Sequence, residues 1–233
     1  MYTKFSASVV CMDPLDLKFH IDLLTNLKVD LLHIDFMDGH NVPRYGINPE
    51  IMRRIPYITD MPMDVHLMVS DVEFCYSQMK GIQNIENLTF HVEGNEGNLL
   101  KLIDYGKTLA KNVGVVLNMS SNTDAVKRLS SAGLIDTIMF MAIHPGVLVQ
   151  KSRPEVLYNS IRDVIGDTAM KYVCVDGGVT FDSINPLITA GANCLVGGTG
   201  TIYKGVDFST SKDTQTAQIM ENWVKIKKAI NNV

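Results

Sequence analysis

Val29-Asp30-Leu31-Leu32-His33-Ile34-Asp35-Phe36-Met37-Asp38-Gly39 is a mainly apolar run with His33, Asp35 and Asp38 spaced along its second half. Side chains alternate faces along a strand, so His33, Asp35 and Met37 point the same way. A second run, Met63-Asp64-Val65-His66-Leu67-Met68, repeats the form and sets His66 and Met68 on one face. Apolar strands that carry chemistry at their carboxyl ends are expected of a parallel sheet covered by helices, where the loops after the strands hold the active groups.

Working outward, further apolar runs lie at Phe5 to Val10, Leu88 to Val92, Val113 to Leu117, Ile135 to Met141, Tyr172 to Val175 and Asn193 to Val196. With the first two they make eight. Between them lie stretches of helical spacing, among them Asp71 to Lys80, Asn98 to Ala110, Asp182 to Ala190 and Thr214 to Ile230. Ser70 or Asp71, and Thr180, are candidate N-caps, because a side-chain oxygen there can take an orphan backbone N–H. Eight strand–helix units of roughly thirty residues each favour a closed (β/α)8 TIM barrel, an α/β fold built on a parallel eight-stranded sheet. No linker or low-complexity segment divides the chain, so a single catalytic domain over residues 1–233 is expected.

Composition narrows the function classes. A hydrophobic content of 46% with 20% charged residues fits a globular protein with a large core, and a net charge of −4 lacks the basic stripe of a nucleic-acid binder. Cys11, Cys75, Cys174 and Cys194 show no C-x-x-C spacing and read as reduced core residues. Met1-Tyr2-Thr3-Lys4 leads straight into an apolar strand without the longer apolar stretch of a secretory signal. No segment reaches the ~18 uninterrupted apolar residues of a membrane helix. A cytoplasmic location with no nucleic-acid or membrane partner is expected.

Neutral imidazole and carboxylate suit a divalent metal such as zinc. His33, Asp35 and His66 offer three ligands, and Asp176, closing Val173-Cys174-Val175-Asp176-Gly177-Gly178, offers a fourth from a strand across the barrel mouth. A single buried His is ordinarily a hydrogen-bonded core residue, but a buried carboxylate without a partner is costly, which argues for the ligand reading. Two aspartates on opposite sides of a cavity can remove a proton from one face of an activated carbon and return one to the other, an inversion needing no redox cofactor. Met37, Met68 and Met141 ring the same mouth, where thioethers exclude water without donating a proton. Gly177-Gly178-Val179-Thr180 and Gly197-Gly198-Thr199-Gly200-Thr201 follow strands seven and eight, where barrels commonly hold phosphate on backbone N–H groups. His91 with Glu93 reads as support of the mouth, His40 as structural, and His20 as an ordinary residue of the first helix.

These segments resemble the ribulose-phosphate 3-epimerase family, including allulose-6-phosphate 3-epimerases, over essentially the whole chain. The family's His-x-Asp-x-Met-Asp-Gly-His motif is matched by His33 to His40, its Asp-x-His-Leu-Met by Asp64 to Met68, and its Val-Asp-Gly-Gly-Val by Val175 to Val179. Its first-strand serine is matched by Ser8. The resemblance implies His33, Asp35, His66 and Asp176 as metal ligands, with Asp35 and Asp176 as the acid/base pair. It implies substrate contacts from Ser8, His66, Met37, Met68, Met141, Gly146, Gly177, Gly178, Gly198 and Thr199. It also implies zinc, with iron, manganese or cobalt as alternatives, a sugar-phosphate substrate and a homo-oligomer.

The expected activity is inversion at C3 of a ketose phosphate, D-ribulose 5-phosphate to D-xylulose 5-phosphate. The alternatives are a hexulose phosphate such as allulose 6-phosphate, or a homologue that binds sugar phosphate with impaired turnover. Two departures from the family pattern keep these open. Pro145-Gly146-Val147-Leu148-Val149-Gln150 stands where the family has Pro-Gly-Phe-Gly-Gly-Gln, and Arg44 stands where an Asn commonly follows Pro43. Leu148 and Val149 cannot supply the close backbone approach of glycine; Arg44 could compensate electrostatically or serve a different substrate. Decarboxylases and aldol-type synthases of related barrels need an Asp-x-Lys-x-x-Asp array, and strand three has no lysine.

Overall fold

Eight parallel strands pair in sequence order and close on themselves: β1 (Lys4–Ser8), β2 (Leu31–Met37), β3 (Met63–Met68), β4 (Ile85–His91), β5 (Asn112–Leu117), β6 (Thr137–Met141), β7 (Tyr172–Asp176) and β8 (Cys194–Gly197). A helix follows each in turn: α1 (Leu17–Asn26), α2 (Pro49–Arg54), α3 (Val72–Met79), α4 (Leu99–Gly106), α5 (Asp124–Ser131), α6 (Pro154–Ile165), α7 (Phe181–Ala190) and α8 (Lys212–Asn231). This computed structural model describes residues 2–119, 121–144, 154–166 and 170–232. The (β/α)8 barrel expected from the run count is therefore present. Among the described residues no helix is long and apolar enough to cross a membrane.

Two apolar layers hold the fold. The outward faces of the strands, with Phe5, Leu32, Ile34, Val65, Leu67, Val115, Ile138 and Val175, pack against the helices, including Ile21, Tyr76, Ile184 and Trp223. A smaller cluster of Leu31, Val116, Met139, Met141, Tyr172, Cys174, Cys194 and Val196 fills part of the barrel interior. All four cysteines are free, and Cys75, Cys174 and Cys194 are buried.

Local chemistry fixes several helix starts. Asp71 accepts the N–H of Phe74 at 2.8 Å and caps α3, and Asn48 accepts that of Ile51 at 2.9 Å ahead of α2. At α7 Thr180 and Ser183 form a capping box: the Thr180 side chain takes the N–H of Ser183, and the N–H of Thr180 donates to Ser183 Oγ at 2.9 Å. The first apolar run ends as a strand at Ser8, and Val9–Cys11 turns into a short 3-10 helix.

Strand register converts single-strand alternation into tiers. Asp35 of β2 pairs with His66 of β3, His33 with Asp64, and Met37 with Met68. The His33 and Asp64 tier continues to Asn87 of β4 and Asn112 of β5. Neighbouring positions in a parallel ladder share a face, so the barrel interior is polar along this side.

Candidate metal centre and substrate pocket

Four ligand atoms, one each from His33, Asp35, His66 and Asp176, lie within 4.8 Å of one another. His33 Nε2 stands 3.1 Å from Asp35 Oδ1 and 3.7 Å from Asp176 Oδ2. His66 Nδ1 stands 3.4 Å from Asp35 Oδ1 and 3.3 Å from Asp176 Oδ2. Thus β2, β3 and β7 deliver two imidazoles and two carboxylates to one point at the carboxyl ends of the strands. Both imidazoles and Asp35 are buried; Asp176, the last residue of β7, keeps 14% of its side chain exposed.

This donor set fits a divalent cation. His66 Nδ1 is buried with no hydrogen-bond partner, although it faces two carboxylates. An imidazole lone pair and two ionised carboxylates crowded together repel unless a cation lies between them. The electrostatics of the cluster say the same. Burial alone would lower the pKa of His33, but Asp35, Asp64 and Asp176 outweigh it and hold the imidazole well above its usual range. His66 is raised likewise, burial being overcome by Asp176 and Asp35. Burial would raise the Asp35 carboxyl, yet His33 and His66 hold it below the ordinary carboxylate range. Protons fill the role that a metal ion can take.

The surrounding polar groups orient the ligands. His33 Nδ1 donates to Asp64 Oδ2 at 2.9 Å, which directs Nε2 toward the centre. Asp64 is itself fixed by Ser6 Oγ at 3.0 Å and Asn87 Nδ2 at 3.3 Å. Ser8 Oγ donates to Asp35 Oδ2 at 3.2 Å. His66 Nε2 lies 2.9 Å from His91 Nε2, and His91 Nδ1 lies 3.5 Å from Glu93 Oε2. Sequence reading gives His91 with Glu93 a supporting place but assigns no role to Asp64. The signal for Asp64 was there, since it sits two residues before His66 and so on the same face.

Above the cluster opens a cavity of about 250 Å³. Asp35 and Asp176 form part of its wall, with Ser8, Met37, Met68 and Met141. Met37 and Met68 pack together with Val42. His33 and His66 do not line the cavity; they sit beneath the carboxylates. Gly177, Gly178, Gly198 and Thr199 line its far side. Gly177 has φ +90°, and a Cβ there would meet Ile143 Cγ1 at 2.4 Å; one on Gly200 would meet the Val179 carbonyl at 2.4 Å. The two loops after β7 and β8 therefore approach backbone to backbone, which only glycine permits. Arg44, in the loop after β2, also lines the cavity; its backbone bonds Val42 and Gly39, while its guanidinium has no hydrogen-bond or ion-pair partner among the described residues.

Other sequence expectations place as follows. His40 is exposed, with its backbone N–H on Asp38 Oδ1. His20 is buried against Phe19, Tyr203 and Phe208. Gly146 and the altered Val147-Leu148-Val149 stretch lie outside the described residues.

Residues 4–202 match the model of the ribulose-phosphate 3 epimerase family. The chain is similar to the ribulose-phosphate 3-epimerase of Helicobacter pylori, with 30% identity covering 88% of this chain and 92% of that one. It is 30% identical to the Bacillus subtilis ribulose-phosphate 3-epimerase over 84% of this chain and 90% of that one. The cytoplasmic isoform of ribulose-phosphate 3-epimerase from rice matches at 30% over 84% of this chain and 85% of its own length. Among solved structures, a tryptophan synthase alpha-subunit from Pyrococcus furiosus superposes with a TM-score of 0.71 at 10% identity, over 98% of this chain and all of that one. That likeness shows the barrel fold alone.

Proposed function

The chain belongs to the ribulose-phosphate 3 epimerase family, and from that premise we propose that it is a metal-dependent epimerase, a single (β/α)8 catalytic domain that inverts C3 of a ketose phosphate, D-ribulose 5-phosphate to D-xylulose 5-phosphate. The observation that carries this reading is the convergence of Asp35 and Asp176 on the same two imidazoles from different sides of the barrel. Two carboxylates held this way bracket a carbon lying in the cavity between them.

His33 through Nε2, His66 through Nδ1, Asp35 and Asp176 would hold the metal, zinc by ligand chemistry, with iron, manganese or cobalt also compatible. When bound, such an ion polarises the substrate ketone and makes the neighbouring C–H acidic. Asp35 or Asp176 then removes the C3 proton, and the electron pair moves toward the C2 carbonyl to give an enediolate. The other carboxylate returns a proton to the opposite face of C3. The direction of reaction decides which acts as base. Met37, Met68 and Met141 shield the electron-rich intermediate from water. Gly177, Gly178, Gly198 and Thr199 take the phosphate on their backbone. Arg44, which lines the same cavity, supplies a cation for it.

The same reading carries a cytoplasmic location and a homo-oligomer. Solvent deuterium wash-in at C3, measured with pentulose and hexulose phosphates side by side together with metal content, tests it. Metal with exchange on D-ribulose 5-phosphate is expected, and faster exchange on a hexulose phosphate would move the substrate assignment. Metal-free protein with no exchange on any ketose phosphate overturns the epimerase reading.

A further inference from the structure

β4 brings a second pair of side chains against the cluster without lining the cavity. The rings of His66 and His91 meet edge to edge, with 27° between their planes and centroids 5.1 Å apart, and their Nε2 atoms are 2.9 Å apart. Two ring nitrogens at that distance share one proton, and its position decides which nitrogen of His66 keeps a lone pair.

Glu93 settles the direction. Its Oε1 accepts the N–H of Asn118 at 3.1 Å and the hydroxyl of Ser121, while its Oε2 faces His91 Nδ1 at 3.5 Å. Oε2 has no other partner among the described residues, and an ionised carboxylate at ion-pair distance favours an N–H on the nitrogen it faces, which puts the proton on His91 Nδ1 and leaves His91 Nε2 as the acceptor. His66 Nε2 must then be the donor. That leaves His66 Nδ1 as the lone pair, the buried atom without a partner that faces Asp35 and Asp176.

We propose that His91 and Glu93 are positioning residues that lock His66 in the tautomer whose Nδ1 binds the metal. Two different supports thus hold the two imidazole ligands: His33 is backed directly by the Asp64 carboxylate, and His66 by a neutral imidazole with a carboxylate behind it. The proposal rests on the reading that the four-residue cluster holds a divalent ion.

Zinc affinity by chelator competition, without substrate, tests it on wild type, His91→Phe and His91→Gln. Phenylalanine keeps a flat ring but offers no acceptor; glutamine offers a carbonyl to His66 Nε2–H. His91→Phe is expected to bind zinc about 10–100-fold more weakly, the usual loss when the group behind a ligand is removed. His91→Gln is expected to recover most of that loss. Glu93→Gln, which leaves the ring pair in place but lets an amide donate to His91, is expected to weaken zinc binding as well and serves if His91→Phe fails to fold. Wild-type affinity in His91→Phe or in Glu93→Gln overturns the proposal, as does a His91→Gln loss equal to that of His91→Phe. Wild-type protein that takes no zinc from the chelator overturns the metal reading itself, which separates the two failures.

Discussion

Asp176→Asn tests the two-carboxylate inversion most directly, because asparagine keeps the shape and a ligand oxygen but cannot take a proton. Asp176 Oδ2 lies 3.3 Å from His66 Nδ1 and 3.7 Å from His33 Nε2, while Asp35 Oδ1 lies 3.4 and 3.1 Å from the same atoms. The two carboxylates therefore have nearly equal reach to the centre, and under the proposed mechanism each would serve one face of the substrate. Loss of a positioned acid/base group costs roughly 10²–10⁴ in rate, which at about 1.4 kcal/mol per tenfold is about 3–5 kcal/mol of barrier. Epimerisation should fall by that factor. Deuterium exchange at C3 should behave differently, since Asp35 is untouched and remains hydrogen-bonded to Ser8. In D2O the epimer whose C3–H faces Asp35 should still exchange, with retention of configuration, while the other epimer should not. The assay follows both epimers separately by NMR, with metal content measured on the same sample. Equal loss of exchange from both epimers in metal-replete protein would refute the division of labour, and so would epimerisation within about threefold of wild type.

Three further outcomes follow from the geometry. Asp64→Ala leaves Ser6 Oγ, His33 Nδ1 and Asn87 Nδ2 without their buried acceptor, at a cost of about 3–5 kcal/mol. At roughly 2–4 °C per kcal/mol for a chain of this size, thermal unfolding should drop by on the order of 10 °C, and an unchanged melting temperature would contradict the account. Arg44→Ala should raise KM for the phosphorylated ketose by about tenfold or more with kcat little changed, because a hydrogen bond to a charged group contributes about 1.5–3 kcal/mol; an unaltered KM removes Arg44 from substrate binding. His33 and His66 have raised pKa values in the metal-free fold, so their stabilising contribution there is present below the unfolded value of about 6.5 and is lost as pH rises through the folded values. Metal must displace those protons, so zinc affinity should increase with pH, with protons released on binding; titration calorimetry in buffers of different ionisation enthalpy would expose a pH-independent affinity.

Much of the fold was legible because a parallel strand buried on both faces is written as a short apolar run. Met63–Met68 coincides with its run at both ends, and β2, β5 and β8 fall within two residues of theirs. β4 was read short, as Leu88 to Val92, although it begins at Ile85. Its early residues Glu86 and Asn87 are polar yet buried, because they join the hydrogen-bonded network inside the barrel, where Asn112 Nδ2 reaches both the Glu86 carbonyl and Asn87 Oδ1. Hydropathy alone ends a strand where such a network begins.

Sequence by itself determined the eight-fold alternation, the shared face of His33, Asp35 and Met37, and the presence of Asp176 at a strand end, since all three depend only on local periodicity. Tertiary structure alone decided that Asp64 backs His33, that His91 meets His66, and that Arg44 and the glycine loops line one cavity. Those pairings depend on strand register and on the stagger that closing eight strands imposes, and register is a relation between segments that no single segment encodes.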